Sequence, residues 1–144
     1  MSDAGFGTDQ AMALLAEMFA PFVARMGLRA DALGREEARF SLPENPDLAL
    51  RGGPGAGVIC GQALAAIADS VSVLALAGAN GRFRNCTTTD MAISYLRPAK
   101  GALRIEVAIP RNGRQLASCQ VTIWSEGHAK PAVLATATFM YLEA

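Results

Sequence analysis

The sequence has few charged residues, and the two signs balance. Charged residues make up 18% of the 144 residues, with 13 Lys and Arg against 13 Asp and Glu, so the formal net charge is zero. A nucleic-acid-binding domain normally has a net basic charge or a basic stripe, so this composition argues against a nucleic-acid partner. Apolar residues make up 51% of the chain. That content and this length predict one globular domain over residues 1–144.

Histidine and cysteine are too scarce for a metal site or a disulfide framework. His128 is the only histidine, and Cys60, Cys86 and Cys119 are widely spaced. Zinc sites and disulfide-rich domains have closely paired or regularly spaced ligands, so we expect no metal, no other cofactor and a reducing, cytoplasmic compartment. The first residues lack a basic segment followed by an uninterrupted apolar stretch, which argues against a signal peptide.

One apolar run approaches the length of a membrane span, at residues 57–79. Gln62 and Asp69 interrupt it, so the sequence favours a soluble protein with no membrane partner. A carboxylate taken out of water costs several kcal/mol unless it is paired or hydrogen-bonded. Asp69 is therefore the first candidate functional residue.

The apolar periodicity predicts two helices and six strands. The first helix is expected from a cap at Thr8 or Asp9 to about Met26, and the second over residues 58–76 with Gly78 at its end. A loop rich in proline and glycine, residues 43–57, precedes the second helix. The expected strands are residues 28–33, 37–42, 86–97, 102–110, 116–125 and 132–142, the last four forming a meander with a hairpin at Asn112-Gly113. This order predicts an α+β fold whose antiparallel sheet is covered by the long helix.

Two segments are similar to those of a known family. ALAAIADS at residues 63–70 and TTDMAISYLRPAKG at residues 88–101 resemble the hotdog-fold acyl-CoA thioesterases, in the branch like the phenylacetate-degradation and 4-hydroxybenzoyl-CoA thioesterases. The similarity extends from about Asn45 to the C-terminus. It implies a hotdog fold, with an antiparallel sheet wrapped around a long central helix. It also implies hydrolysis of acyl-CoA to free acid and CoA, and a homodimer with two shared sites or a homotetramer.

Four residues are candidates for catalytic roles, Asp69 and Thr88 by the resemblance and Gly61 and Gln62 by their positions on the helix. Asp69 would attack the thioester carbonyl or activate a water, unless it is a structural carboxylate bonded within the core. Gly61 would supply a backbone N–H for the oxyanion, unless it only joins the loop to the helix. Gln62, seven positions before Asp69 and on the same helical face, would position the thioester or water, unless it only satisfies backbone groups at the helix start. Thr88 matches a position where some relatives have a hydroxyl opposite the carboxylate, from the partner subunit, unless it is only a β-branched strand residue.

Six further residues are expected to contact substrate. Cys60 stands where the family has histidine, because the family's HGG is CGQ here; no nearby histidine would activate Cys60 as a nucleophile. Ser72 continues the polar stripe of Gln62 and Asp69. Four cations at strand ends and turns are candidates for the CoA phosphates: Arg97, Lys100, Arg111 and Arg114.

The change from HGG to CGQ keeps alternatives open. One is a non-catalytic acyl-CoA or acyl-ligand binding protein that retained the fold. Another is a purely structural oligomer. A hotdog dehydratase or hydratase fits less well, because those sites generally use histidine.

Overall fold

The computed structural model describes residues 5–143. Its helices are α1 (Thr8–Met18), α2 (Pro21–Ala24) and α3 (Gly61–Asn80), with a short 3-10 turn at Pro46–Leu48. Its strands are β1 (Arg29–Leu33), β2 (Glu37–Leu42), β3 (Cys86–Tyr95), β4 (Leu103–Asn112), β5 (Leu116–Ser125) and β6 (Val133–Tyr141). Residues 1–4 and 144 of the predicted domain lie outside the described range.

The strands form one antiparallel sheet in the order β1-β2-β4-β5-β6-β3, and α3 contacts all six of them. Buried and exposed residues alternate along β2, β4 and β6, so one face of the sheet packs on α3. Ile67, Val71 and Leu74 of α3 are fully buried against this face. The predicted sheet around a long central helix is confirmed. Although α3 is long and apolar enough to span a membrane, most of it is buried in this core.

The predicted first helix is split in two. α1 ends at Met18, and α2 begins at Pro21 instead of continuing α1 to Met26. Proline has no N–H and its ring clashes with the preceding helical turn, and the helix is interrupted just before Pro21, at Phe19 and Ala20, where ψ is 155° and 141°. The helix starts near the expected position, but its N-cap is Gly7 rather than Thr8 or Asp9.

The predicted bounds of the second helix are wrong at both ends. Residues 58–60 precede the helix: Cys60 is extended, Ile59 bridges Ala49, and the N–H of Ile59 bonds to the carbonyl of Ala99 at 2.8 Å. At the other end Gly78 continues the helix, and Gly81 ends it with a left-handed φ of 72°. Gly78 instead allows a close approach: a Cβ there would lie 2.9 Å from the Cβ of Leu33.

The predicted four-strand meander is also wrong, because β3 pairs with β6 and β2 takes its place beside β4. The link from β3 to β4 contains Pro98 and crosses the ends of β6 and β5. There the backbone N–H of Leu96 donates to the carbonyl of Ala132 at 2.8 Å, and the backbone N–H of Lys100 donates to the Ser125 hydroxyl at 3.1 Å. In the described sheet, β3 is therefore an edge strand ten residues long.

Candidate active site

Asp69 lies on the side of α3 that faces β3, and its side chain is half-buried. Its Oδ1 accepts a hydrogen bond of 2.6 Å from the hydroxyl of Thr88. The resemblance placed such a hydroxyl on the partner subunit, whereas here Thr88 belongs to the same chain. Within residues 5–143 this is the one protein hydrogen bond that Asp69 accepts, and no arginine pairs with it. Asp69 thus keeps lone pairs available for chemistry.

The thiols near this carboxylate are poor nucleophiles. Burial raises the pKa of Cys86, the negative charge of Asp69 raises it further, and Arg84 opposes the rise. Burial also raises the pKa of Cys119 to about 12. Both groups are therefore uncharged thiols at neutral pH, and a thiol is much less nucleophilic than its thiolate. Asp69 is therefore the better candidate for a nucleophile or base at this position.

The first turn of α3 begins at Gly61, and its backbone donors are uncapped. The N-cap Cys60 makes no side-chain bond to the turn, and no acceptor is found for the Gly61 N–H within residues 5–143. The first N–H groups of a helix have no partner inside the helix and carry its positive dipole end. Gly61 therefore offers a donor to an anionic oxygen.

Tyr95, at the end of β3, is a neighbour of Gly61 that the sequence analysis missed. Its hydroxyl donates to the Gly61 carbonyl at 3.0 Å, and a Cβ placed on Gly61 would lie 3.4 Å from its ring. Tyr95 is nevertheless 51% exposed. Tyr95 begins the segment YLRP, which lies in the stretch that resembles the family. That position could have identified it as a candidate site residue.

A cavity of about 520 Å³ lies beside this helix start. Its walls are largely apolar, with Leu50, Ile59, Leu64 and Leu96 among them, and Cys60, Gly61 and Tyr95 complete one side. Gln62 is exposed and also borders the cavity. Gly61, Gln62 and Cys60 are thus brought together, while Asp69 lies two turns further along the helix.

Ser72 is not brought to this site. Its side chain is fully buried, and its hydroxyl donates to the Ala68 carbonyl at 2.8 Å. Three residues advance a helix by about 300°, which turns Ser72 about 60° away from Asp69 and toward the core. The i−4 carbonyl satisfies the hydroxyl there. The exposed polar stripe consists of Gln62 and Asp69 without Ser72.

The four predicted phosphate contacts lie at opposite ends of the sheet. Arg97 and Lys100 follow β3 at the end near Gly61, and Arg111 and Arg114 lie at the β4–β5 hairpin. A ten-residue strand spans roughly 30 Å, so a single pyrophosphate cannot contact both pairs. Arg97 donates to the Pro131 carbonyl at 2.7 Å, and the Arg114 carbonyl accepts from Arg84 at 2.9 Å.

The sequence matches the family of acyl-CoA thioesterase N-terminal domains over residues 46–140. A candidate esterase of Halobacterium salinarum is 28% identical over 123 residues, covering 83% of this chain and 81% of that protein. A candidate thioesterase from Silicibacter sp. is similar in structure, with a TM-score of 0.80, 24% identity, and 94% and 92% of the two chains covered. Thioesterase superfamily member 2 from Mus musculus has a TM-score of 0.77 and 20% identity, covering 92% and 96%. The structural likenesses confirm the hotdog fold.

Proposed function

The chain belongs to the acyl-CoA thioesterase N-terminal domain family, and on that premise we propose that it hydrolyses acyl-CoA to a free acid and CoA. Membership supports a hydrolase of the thioesterase type and confirms the predicted superfamily, while the branch stays a prediction. The observation that carries the proposal is the half-buried carboxylate of Asp69, bonded to the Thr88 hydroxyl. We also propose that the enzyme is cytoplasmic and needs no metal or other cofactor.

Asp69 can cleave a thioester by either of two routes. As a nucleophile, its oxygen attacks the carbonyl carbon, the C–S bond breaks, CoA leaves as a thiolate, and water hydrolyses the resulting anhydride. As a general base, it takes a proton from water while the water oxygen attacks; the C–S bond then breaks and the proton is available to the thiolate. In both routes the Thr88 hydroxyl, at 2.6 Å, holds the carboxylate in one orientation.

The negative charge that develops on the carbonyl oxygen needs a donor. The uncapped N–H of Gly61 at the start of α3 is suited to this role, because the helix dipole adds to its positive charge. The absence of a side chain at Gly61 also lets the thioester approach the backbone. Donors of this kind act without reorganisation and contribute on the order of a hundredfold to the rate.

Asp69 and Gly61 of one chain are too far apart to act on one thioester. They are eight residues apart on α3, or about 12 Å along the axis, whereas both must lie about 3 Å from the reacting atoms. A site that uses both residues must therefore take Gly61 from one copy and Asp69 from another. The distance between Gly61 and Asp69 therefore supports a homodimer with two shared sites.

Two features of the chain suit such a dimer. The long edge strand β3 leaves one side without a strand partner in the described sheet, and an edge of this kind readily pairs with another copy. Suppose that a two-fold axis places Asp69 of one copy beside Gly61 of the other. The axis then passes next to residue 65, which lies midway between the two in sequence. That residue is a half-buried alanine, and its small side chain permits close approach of the helices. A homotetramer would pair two such dimers.

Replacing the carboxylate tests the proposal. We expect Asp69→Asn to lower kcat for thiol release from acyl-CoAs at least about a hundredfold, because the nucleophile or base is lost. A panel of short, medium, long and aromatic acyl-CoAs covers the unknown acyl group. Asp31→Asn is the matched control, since Asp31 is exposed on β1, at the edge of the sheet opposite β3. Unchanged turnover in folded Asp69→Asn would contradict the proposal.

A mixed dimer tests whether the site is shared. Copies carrying Asp69→Asn are combined with copies carrying Gly61→Val, each inactive alone. If the two residues act across the interface, the purified heterodimer has one site with both native residues and regains activity. If they act within one chain, the heterodimer stays inactive.

The CGQ sequence favours a second candidate, a non-catalytic acyl-CoA binding protein. Cys60 stands where relatives have histidine, and it makes no side-chain hydrogen bond to the helix start. Calorimetry that detects tight acyl-CoA binding, together with no thiol release across the panel, would favour this candidate over hydrolysis.

A further inference from the structure

We propose that the chain binds the phosphates of CoA at one end of the molecule only, in a basic pocket formed by Arg97, His128 and Lys130. The proposal rests on the proposed function for the identity of the ligand. It adds two residues of the β5–β6 loop that were not predicted as substrate contacts. It also removes Arg111 and Arg114 from the set of candidates.

The pocket has a volume of about 250 Å³ and lies where the β3–β4 link meets the β5–β6 loop. Arg97, His128 and Lys130 contribute its charged or titratable side chains, and no carboxylate lines it. Glu126, on the same loop, is exposed outside the lining. A phosphate entering the pocket therefore meets positive charge without a competing carboxylate on the wall.

Arg97 is held in place for this role. One of its terminal nitrogens donates to the Pro131 carbonyl at 2.7 Å, and that carbonyl belongs to the loop that also carries His128 and Lys130. A guanidinium has five N–H donors in a planar fork, so this bond leaves others for phosphate oxygens. Its orientation is fixed before a ligand arrives, which lowers the entropy cost of binding.

The basic pocket adjoins the cavity beside Gly61. Arg97 and Pro98 line both spaces, so one wall separates the helix start from the phosphate pocket. CoA has the matching order of parts: the thioester, then the flexible pantetheine arm, then the pyrophosphate and phosphorylated nucleoside. With the thioester at Gly61, the arm would follow the largely apolar cavity past Arg97.

At the other end of the sheet, Arg82 and Arg84 are already paired with a carboxylate. A space of about 460 Å³ there is lined by Arg84 and Arg114, but also by Glu143. Glu143 pairs with Arg82 at 2.9 Å and with Arg84, and Arg84 also donates to the Arg114 carbonyl. An anion at this end would meet a carboxylate and would have to displace existing bonds. The geometry therefore favours the end that carries His128 and Lys130.

Charge reversal of Lys130 tests the pocket. We expect Lys130→Glu to raise KM for the preferred acyl-CoA about fivefold to tenfold, with kcat within about twofold, because an exposed charge contact is lost and a repulsion added. The same acyl group on N-acetylcysteamine lacks phosphates, so its KM should not change. Arg35→Glu makes an equal charge change in the exposed turn between β1 and β2 and should leave both values unchanged.

Calorimetric titration of CoA separates this inference from the proposed hydrolysis. Weaker CoA binding by Lys130→Glu, but not by Arg35→Glu, supports the pocket even if no acyl-CoA is turned over. Four results would overturn it: no CoA binding by the unmodified protein, unchanged KM and Kd in Lys130→Glu, an equal rise in KM for the N-acetylcysteamine thioester, or weaker binding in Arg114→Glu instead of Lys130→Glu.

Discussion

The two ends of α3 differ in how their backbone and side-chain polar groups are satisfied. At the N-terminal end, the first turn has no side-chain cap and opens on a cavity. At the C-terminal end, Asn80 donates to the Tyr141 hydroxyl at 2.9 Å, Tyr141 donates to Asn112 at 2.6 Å, and Asn112 donates back to Asn80 at 2.9 Å. The closed ring leaves few polar groups free for a ligand. We therefore call the N-terminal end of α3 the open end and expect it to bind ligand and carry the chemistry, and we call the C-terminal end the closed end and expect it to contribute stability.

Charged groups reinforce the closed end. The Arg84 guanidinium lies 3.6 Å over the ring of Tyr141 and also pairs with Glu143. Hydrogen bonds from Arg82 and Arg84 hold the pKa of Glu143 below its ordinary value. By contrast, the cations of the open end have no carboxylate partner among the described residues. Gly61 and Tyr95 lie at the open end, and Gly78 and Tyr141 lie at the closed end. Matched substitutions can therefore test whether the two ends differ in role.

Gly61→Ala should have the largest effect, and only on activity. The added Cβ would lie 3.4 Å from the Tyr95 ring, an ordinary contact that the fold can accept. The methyl group would stand beside the backbone N–H and displace the thioester. We expect kcat/KM to fall about a hundredfold with Tm unchanged, as measured by thiol release and thermal unfolding. A variant that unfolds early, or that keeps full activity, would break the assignment of chemistry to this end.

Tyr141→Phe should affect stability instead. Removing the hydroxyl leaves the Asn80 Nδ2 without its acceptor and the Asn112 Oδ1 without its donor, while the bond from Asn112 to Asn80 remains. We expect the free energy of unfolding to fall by about 1 to 2 kcal/mol, with kcat per folded molecule unchanged. Urea denaturation and thiol-release assays measure the two quantities. A loss of activity larger than the loss of folded protein would contradict the comparison.

The same variant has a predicted pH dependence. Burial raises the pKa of Tyr141 above its usual 10.0, although Asn80 and Arg84 oppose the rise. The folded state therefore holds this proton more tightly than the unfolded state. The resulting stabilisation is present below about pH 10 and is lost as the pH rises through the folded-state pKa. The stability difference between native and Tyr141→Phe should therefore narrow in alkaline solution.

Short sequence motifs indicated the candidate site residues better than strand alternation or apolar periodicity did. The two family-like segments contain Asp69 and Thr88, which the structure places in a hydrogen bond of 2.6 Å, and the CGQ that replaces the family's HGG contains Gly61. Their catalytic roles stay predictions. Tyr95 was missed because it is seven residues after Thr88, and an ordinary strand would put the two on opposite faces. A β-bulge between Thr88 and Asp90 changes that alternation.

The other errors have different causes. Apolar periodicity indicates which face of a helix is buried but not where the backbone leaves the helix. The break before Pro21 was therefore missed, and Gly78 was taken for the helix end. The separation of Arg97 from Arg114 could have been predicted, since successive turns of antiparallel strands lie at opposite ends. The pairing of β3 with β6 could not, because it depends on how the link through Pro98 packs.

Gly78→Ala should affect stability at the C-terminal end of α3, with a smaller effect. The new Cβ would lie 2.9 Å from the Cβ of Leu33, so β1 must shift. Overpacking of this kind costs about 1 to 3 kcal/mol, and the better helix propensity of alanine returns about 1 kcal/mol. We expect a net loss of about 1 kcal/mol in unfolding free energy and unchanged kcat. The same substitution at Gly61 should produce the opposite pattern, which makes each variant the control for the other.

Tyr95→Phe should have the smallest effect, confined to activity. Its hydroxyl donates to the Gly61 carbonyl at 3.0 Å, but the side chain is half-exposed, so water can replace the lost bond and Tm should not change. The ring still covers Gly61, yet the first-turn peptide is held less firmly. Because the reaction depends on where the Gly61 N–H points, we expect kcat to fall about threefold to fivefold with KM nearly constant. A change in Tm with constant kcat would mean that Tyr95 only supports the fold, as Tyr141 does at the other end.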